Sequence, residues 1–153
     1  MVYSFSDYDF YNSKYKEILK ITLSNSDCFS VFTSKLIHKK EHPNKYFDFL
    51  ERLNAHKISS DDVEPPRYTA GQQIHCYQIN KTTTRILNEP ADFAEWNIYD
   101  YPEDLTFYKN NTPWFRCISH ERMVLINETN MKAFEELKKL GLTFMQIKDT
   151  NYI

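Results

Sequence analysis

Glycine is nearly missing from this chain: Gly71 and Gly141 are the only two in 153 residues. Loops that cradle phosphate use clustered glycines to bring backbone N–H groups against the ligand, so a P-loop or a dinucleotide fingerprint is excluded. Cysteine is scarce as well. Cys28, Cys76 and Cys117 are odd in number, widely spaced and without CxxC spacing, so they read as reduced core thiols rather than a disulfide framework or a zinc knot. No apolar run approaches the roughly 20 residues that span a bilayer, and the opening Met-Val-Tyr-Ser-Phe-Ser-Asp lacks the basic, apolar, small-residue order of a secretion signal. An excess of one charge is missing too. Nineteen basic and twenty-one acidic side chains leave a formal charge of -2, so no global positive field draws the protein onto a phosphate backbone. The expectation is a cytoplasmic protein with no nucleic acid or membrane partner and no cofactor.

Aromatics are abundant: eleven Tyr and eleven Phe, within a 41% hydrophobic composition, are far more than a disordered chain carries. The length fits one core, so residues 1–153 are read as a single domain.

A Tyr/Asp/Ser-rich opening segment reads as a short helix. Leu19, Ile21 and Leu23 alternate with Lys20 and Thr22, which predicts a strand, and the turn-forming cluster Ser24-Asn-Ser-Asp27 joins it to a second β-type run from Cys28 to Ile37. After Pro43, the residues Tyr46, Phe47, Phe49, Leu50 and Leu53 fall on one face at helical spacing, predicting a helix over 43–54. Residues 59–73 have loop composition. Ile74 to Ile79 reads as a strand, Thr82 to Leu87 as a short helix, and Pro90 opens another helical turn bearing Phe93 and Trp96.

The segment 105–126 is a meander. Leu105 to Tyr108 and Pro113 to Ser119 flank Lys109-Asn-Asn-Thr112, a hairpin-sized loop of turn formers, and Met123 to Ile126 adds a third strand. Beyond it, Asn130 caps a helix with Met131, Phe134, Leu137 and Leu140 on one stripe. Gly141 takes the left-handed position past its end, and Leu142 to Ile147 closes as a strand. The predicted architecture is α+β, an antiparallel sheet covered by helices, with Phe134 and Leu137 buried.

Three groups of residues bear on chemistry. Strand alternation places Trp114, Arg116, Ile118 and His120 on one face and Phe115, Cys117 and Ser119 on the other. On one reading Arg116, His120 and Glu121 form a polar patch in an aromatic-walled cleft, with the imidazole as acid/base. On the other, Arg116 pairs with a loop carboxylate and His120 merely ends a strand. Cys117 is no candidate for activation by His120, because side chains three apart on a strand point to opposite faces. His38 and His42 have i, i+4 spacing, but Pro43 keeps a helix from running through them and no metal is expected.

Asp92, Glu95, Asp100, Glu103 and Asp104 are interleaved with Phe93, Trp96, Tyr99 and Tyr101. They read either as acids that cap backbone donors beside inward-packed aromatics, or as a contact surface for a basic protein. In the second case Trp96, Tyr99 and Tyr101 would anchor the partner and Asp100, Glu103 and Asp104 would steer it.

Pro102-Glu-Asp-Leu-Thr-Phe-Tyr108, Pro113-Trp-Phe115 and Ser119-His-Glu121, in that order, resemble the signature of a group of small uncharacterised proteins of Gram-positive bacteria and their prophages. The likeness also takes in an Ile18 to Phe32 hairpin and the final helix. It implies a shared fold and an immunity or antitoxin-like module that binds a partner such as a basic toxin domain; it carries no catalytic residue with it. Protein binding is therefore the expected function. The alternative is a small hydrolase or other enzyme using His120 beside Arg116, which requires His120 to open onto a concave pocket.

Overall fold

The computed structural model describes residues 1–5, 14–34, 44–65, 72–97 and 100–148. The predicted histidine pair, His38 and His42, and Tyr99 lie outside the described residues. The strands are β1 (Val2–Phe5), β2 (Cys28–Ser34), β3 (Lys57–Ile58), β4 (Gln72–Gln78), β5 (Glu103–Lys109), β6 (Thr112–Ile118), β7 (Met123–Asn127) and β8 (Phe144–Ile147). They form one sheet in the order β3-β4-β2-β5-β6-β7-β1-β8, every neighbouring pair antiparallel. The predicted meander is its centre.

Four helices accompany the sheet among the described residues: α1 (Tyr15–Ser24), α2 (Asn44–Asn54), α3 (Lys81–Leu87) and α4 (Met131–Lys138). All four feed one core. Ile18 and Leu19 of α1, Phe49 and Leu53 of α2, Ile86 and Leu87 of α3, and Phe134 and Leu137 of α4 pack with Phe29, Leu105, Phe107, Phe115 and Val124 from one face of the sheet. The chain is a single α+β fold, and no helix of the described residues is long and apolar enough to cross a membrane.

Local signals account for most of these elements. Asn80 caps α3 by accepting from the N–H groups of Thr82 and Thr83, while Thr83 Oγ1 accepts from the Asn80 N–H at 2.9 Å, a reciprocal capping box. Asn130 caps α4, and Gly141 past its end has φ 77°, where a side chain is strained. Asn110 and Asn111, at φ 50° and 64°, are the two-residue turn joining β5 to β6, in the left-handed region that asparagine tolerates best.

Two expectations are corrected. The stretch around Leu19 to Leu23 is helix α1, not a strand, so there is no hairpin from Leu19 to Ile37. Its buried residues Tyr15, Ile18, Leu19, Thr22 and Leu23 follow the 3.6-residue period, which a window limited to 19–23 conceals. The opening residues Val2–Phe5 form a strand rather than a helix, β1, held between β7 and β8.

Candidate functional site

The residues of the polar patch meet where β5 passes β6 and the chain turns into β7. Two departures from regular pleating create the arrangement. Against β2, the register runs from Ser30 opposite Thr106 to Phe32 opposite Glu103, so β5 holds one extra residue there. Asp104 takes up the irregularity at φ 54°, a left-handed conformation in which Asp and Asn are enriched. In an unbroken strand Glu103 and Asp104 would point to opposite faces. With the bulge in place, Asp104 meets Arg116 of β6 and Glu103 meets His120 just past the end of β6.

Asp104 reaches Arg116 across the β5–β6 pair, Nη2 donating to Oδ2 at 2.8 Å, and both residues are 2% exposed. The guanidinium also lies over the Phe32 ring, 5.6 Å from its centroid. One carboxylate oxygen, Oδ1, is buried with no hydrogen-bond partner. Arg116 thus pairs with a carboxylate, as one of the two readings expects, although the carboxylate sits in a strand bulge rather than a loop.

The second departure is the 3-10 turn Ser119–Glu121, which ends β6 before His120. Arg122 closes the turn at φ 54° and lets the chain re-enter the sheet as β7. His120 consequently leaves the face of Arg116. Its side chain keeps 52% of its surface open, with Nδ1 3.1 Å from Glu103 Oε1 and Nε2 3.8 Å from Glu121 Oε1. Burial, and after it the like charge of Asp104, raises the Glu103 carboxyl above its ordinary value, while His120 and Arg116 pull the other way. The product is a row of polar groups running outward from a sealed Arg116–Asp104 pair, through the largely buried Glu103, to His120 and Glu121 at the surface.

Trp114 does not share the face of Arg116. A register shift between Phe107 and Tyr108 accommodates an extra residue in β6, and Trp114 joins the helix-side core, its Nε1 donating to Ser26 Oγ at 2.9 Å. Cys117 is wholly enclosed on the helix side, its Sγ 3.2 Å from Ser119 Oγ, which donates in turn to the Phe93 carbonyl. Burial pushes the Cys117 thiol far above its ordinary value. A thiolate nucleophile is therefore disfavoured where the sequence also disfavours it.

The aromatic anchors expected of an exposed 92–104 surface are corrected by their burial. Trp96 is 0% and Tyr101 2% exposed, and both rings stand edge-on to Phe49 of α2. Trp96 Nε1 donates to the Tyr15 hydroxyl, which donates to the Leu87 carbonyl, so the indole is anchored inside. Most of the acids have local work. Asp92 caps the Phe93–Glu95 turn through the Ala94 N–H, Glu95 accepts from the Ala91 N–H and meets Lys45, and Asp100 accepts from Asn97 Nδ2. Capping of backbone donors describes Asp92 and Glu95, and inward packing describes Phe93, Trp96 and Tyr101.

His120 stands on an exposed turn and lines none of the three concavities, of about 550, 350 and 330 Å³, that lie along α1 and α3 and between α1 and α4. Glu103 is the partner of His120 that sequence reasoning missed, and the adjacent Glu-Asp in an otherwise apolar strand is the signal that could have marked a bulge. No group of three or more metal-ligating side chains occurs among the described residues. No protein-family model matches the chain, and neither a curated protein nor a solved structure does.

Proposed function

We propose that the protein acts by binding another protein, as an immunity or antitoxin-like module, and that the Glu103–His120–Glu121 corner, with Asp100 as a further acid from the segment before β5, is part of the contact surface for a basic partner. The observation that carries this reading is the Glu103–His120–Glu121 row, in which His120 and Glu121 are exposed and the largely buried Glu103 holds the imidazole, the two carboxylates being positioned by a strand bulge and a tight turn instead of by flexible loops. Preorganised carboxylates lose little entropy on meeting a cation, and they steer encounter more than they set final affinity. The resemblance of 102–121 to the small Gram-positive and prophage proteins supports the same reading. Trp96, Tyr101 and Asp104 are no part of this surface, since they are enclosed.

The test is a pull-down from the source cell with wild-type protein and with the Asp100→Lys, Glu121→Lys double variant, at low and physiological salt. A partner retained by the wild type and lost by the variant is expected, with slower association as salt screens charges beyond about 8 Å. An unchanged partner list removes this corner from consideration.

A second reading is favoured by the same contact. Glu103 at Nδ1 orients the imidazole, and Nε2 faces Glu121 Oε1 at 3.8 Å on the exposed side of the turn, an arrangement related to that of a carboxylate-assisted general base. Arg116 drops out of it, being paired inside with Asp104. A hydrolase screen in which an activity disappears in His120→Ala would favour this reading over the first.

A further inference from the structure

α1 runs between α3 and α4 and is tied to both by lysines. Lys16 Nζ donates to the Asn88 carbonyl at the C-cap of α3, and Lys14 Nζ donates to the Leu140 carbonyl beyond α4. Cations suit these places because the last carbonyls of a helix are unsatisfied and carry partial negative charge. Between α1 and α3 the surface opens into a trough of about 550 Å³, lined by Lys16, Lys20, Leu23, Ile79, Thr84 and Asn88 together with Ser24. Leu23 is buried and Ile79 half-buried, and both join the main core, so the apolar part of the trough is continuous with it. Lys16 and Lys20 are one helical turn apart and therefore neighbours on the α1 surface. Among the described residues no carboxylate lines the trough, and none is in hydrogen-bond or ion-pair contact with Lys20.

On the other side of α1 lies a smaller trough of about 330 Å³. It shares Lys20 and Ser24, but Glu17 and Glu136 line it as well. The two depressions are thus alike in apolar character and opposite in what they do to an anion.

We propose that the α1–α3 trough binds a small amphipathic carboxylate, its aliphatic chain on Leu23 and Ile79 and its carboxylate between the ammonium groups of Lys16 and Lys20. The volume falls in the range of about 300–1,000 Å³ that small-molecule sites occupy, and such sites combine an apolar lining with a few placed polar groups. The inference is independent of the protein-binding reading.

The test is a titration of ¹⁵N-labelled protein with decanoate, followed by backbone amide shifts, with n-decylamine and acetate as controls for the chain and the head group. Saturable shifts at residues 16–24, 79, 84 and 88 are expected, with a dissociation constant of about 1 mM or below, while decylamine and acetate give none there. Lys20→Glu should weaken decanoate binding severalfold, and Lys20→Gln should fall between it and the wild type. Thr84→Glu, which puts a carboxylate into the trough without touching α1, should weaken it as well. The proposal is overturned if the shifts do not saturate, if decylamine produces them equally, if they centre on Glu17 and Glu136, or if all three variants bind as the wild type does.

Discussion

The Asp104–Arg116 pair is the most consequential contact of single residues in this molecule. Two opposite charges with almost no exposure have exchanged water for each other, and one Asp104 oxygen is left unpartnered. Removing one member of such a pair strands the other and costs more than the pair is worth, about 3–5 kcal/mol. Asp104→Asn keeps a side chain that tolerates φ 54° but deletes the charge, so urea unfolding should show a loss of that order. The Asp104→Asn, Arg116→Met double variant should lose less than Asp104→Asn alone; an equal or larger loss would mean that the pair, not the stranded charge, supplies the stability. Glu103 gives a pH signature. Its folded value is raised, so above the ordinary 4.5 the folded protein retains a proton that the unfolded chain has released, and stability from this group falls as pH rises through the folded value. The stability of the wild type relative to Glu103→Gln should therefore decline with rising pH across that window. Thermal unfolding of both proteins at several pH values checks it, and a difference that stays flat or grows counts against the assignment.

Among the elements, α3 is the one most dependent on its cap. Seven residues are too few for a helix to persist on propensity, and three of them are the β-branched threonines Thr82, Thr83 and Thr84. The Asn80 capping box offsets this by satisfying N–H groups at the open end. Asn80→Ala should cost about 0.5–2 kcal/mol, and amide exchange should quicken first in α3. An unchanged exchange pattern would place the stability of α3 in its packing through Ile86 and Leu87 alone. α4 stands differently, on its buried stripe: Phe134 stacks on Tyr3 with centroids 4.7 Å apart and meets Phe144 edge-on at 5.2 Å. Phe134→Ala should cost about 3–5 kcal/mol and loosen β1 and β8 together, since both of its ring partners are on those strands.

At the scale of the whole molecule, one sheet face and four helices share a single core, in which Trp96 and Trp114 are both fully enclosed. Unfolding should be one cooperative event. Tryptophan fluorescence and far-UV circular dichroism should give coincident urea transitions, and separated midpoints would show that the β3-β4-β2 flank and the β7-β1-β8 flank melt independently. The strand order makes the second outcome meaningful, because β1 and β8, from opposite ends of the described chain, complete the sheet beyond β7.

Strong local chemistry was legible in the sequence. The Asn110-Asn111 turn, the Asn130 cap with Gly141 and the apolar stripe of α2 each depend on residues within a few positions of one another and match the structure, whereas the helical turn expected from Pro90 is a 3-10 turn, Phe93–Glu95, opened by the Asp92 cap. The α1 stretch failed because five residues satisfy both a period of 2 and part of a period of 3.6, and only packing against α4 and the sheet selects between them. The site was legible in its residue types but not in its partners. Whether Glu103 and Asp104 point to one face or two depends on a bulge set by pairing with β2, and whether His120 continues β6 depends on the turn into β7. The trough beside Lys20 was invisible for the same reason: its walls are brought together by long-range packing of α1 on α3, and the Lys16 to Asn88 contact crosses 72 positions of sequence. Composition, periodicity and capping set the class of fold and most of its elements, because those are short-range physics; which charges meet, which aromatics are enclosed and where the surface is hollow were decided by tertiary structure, because those depend on register and packing between segments far apart in the chain.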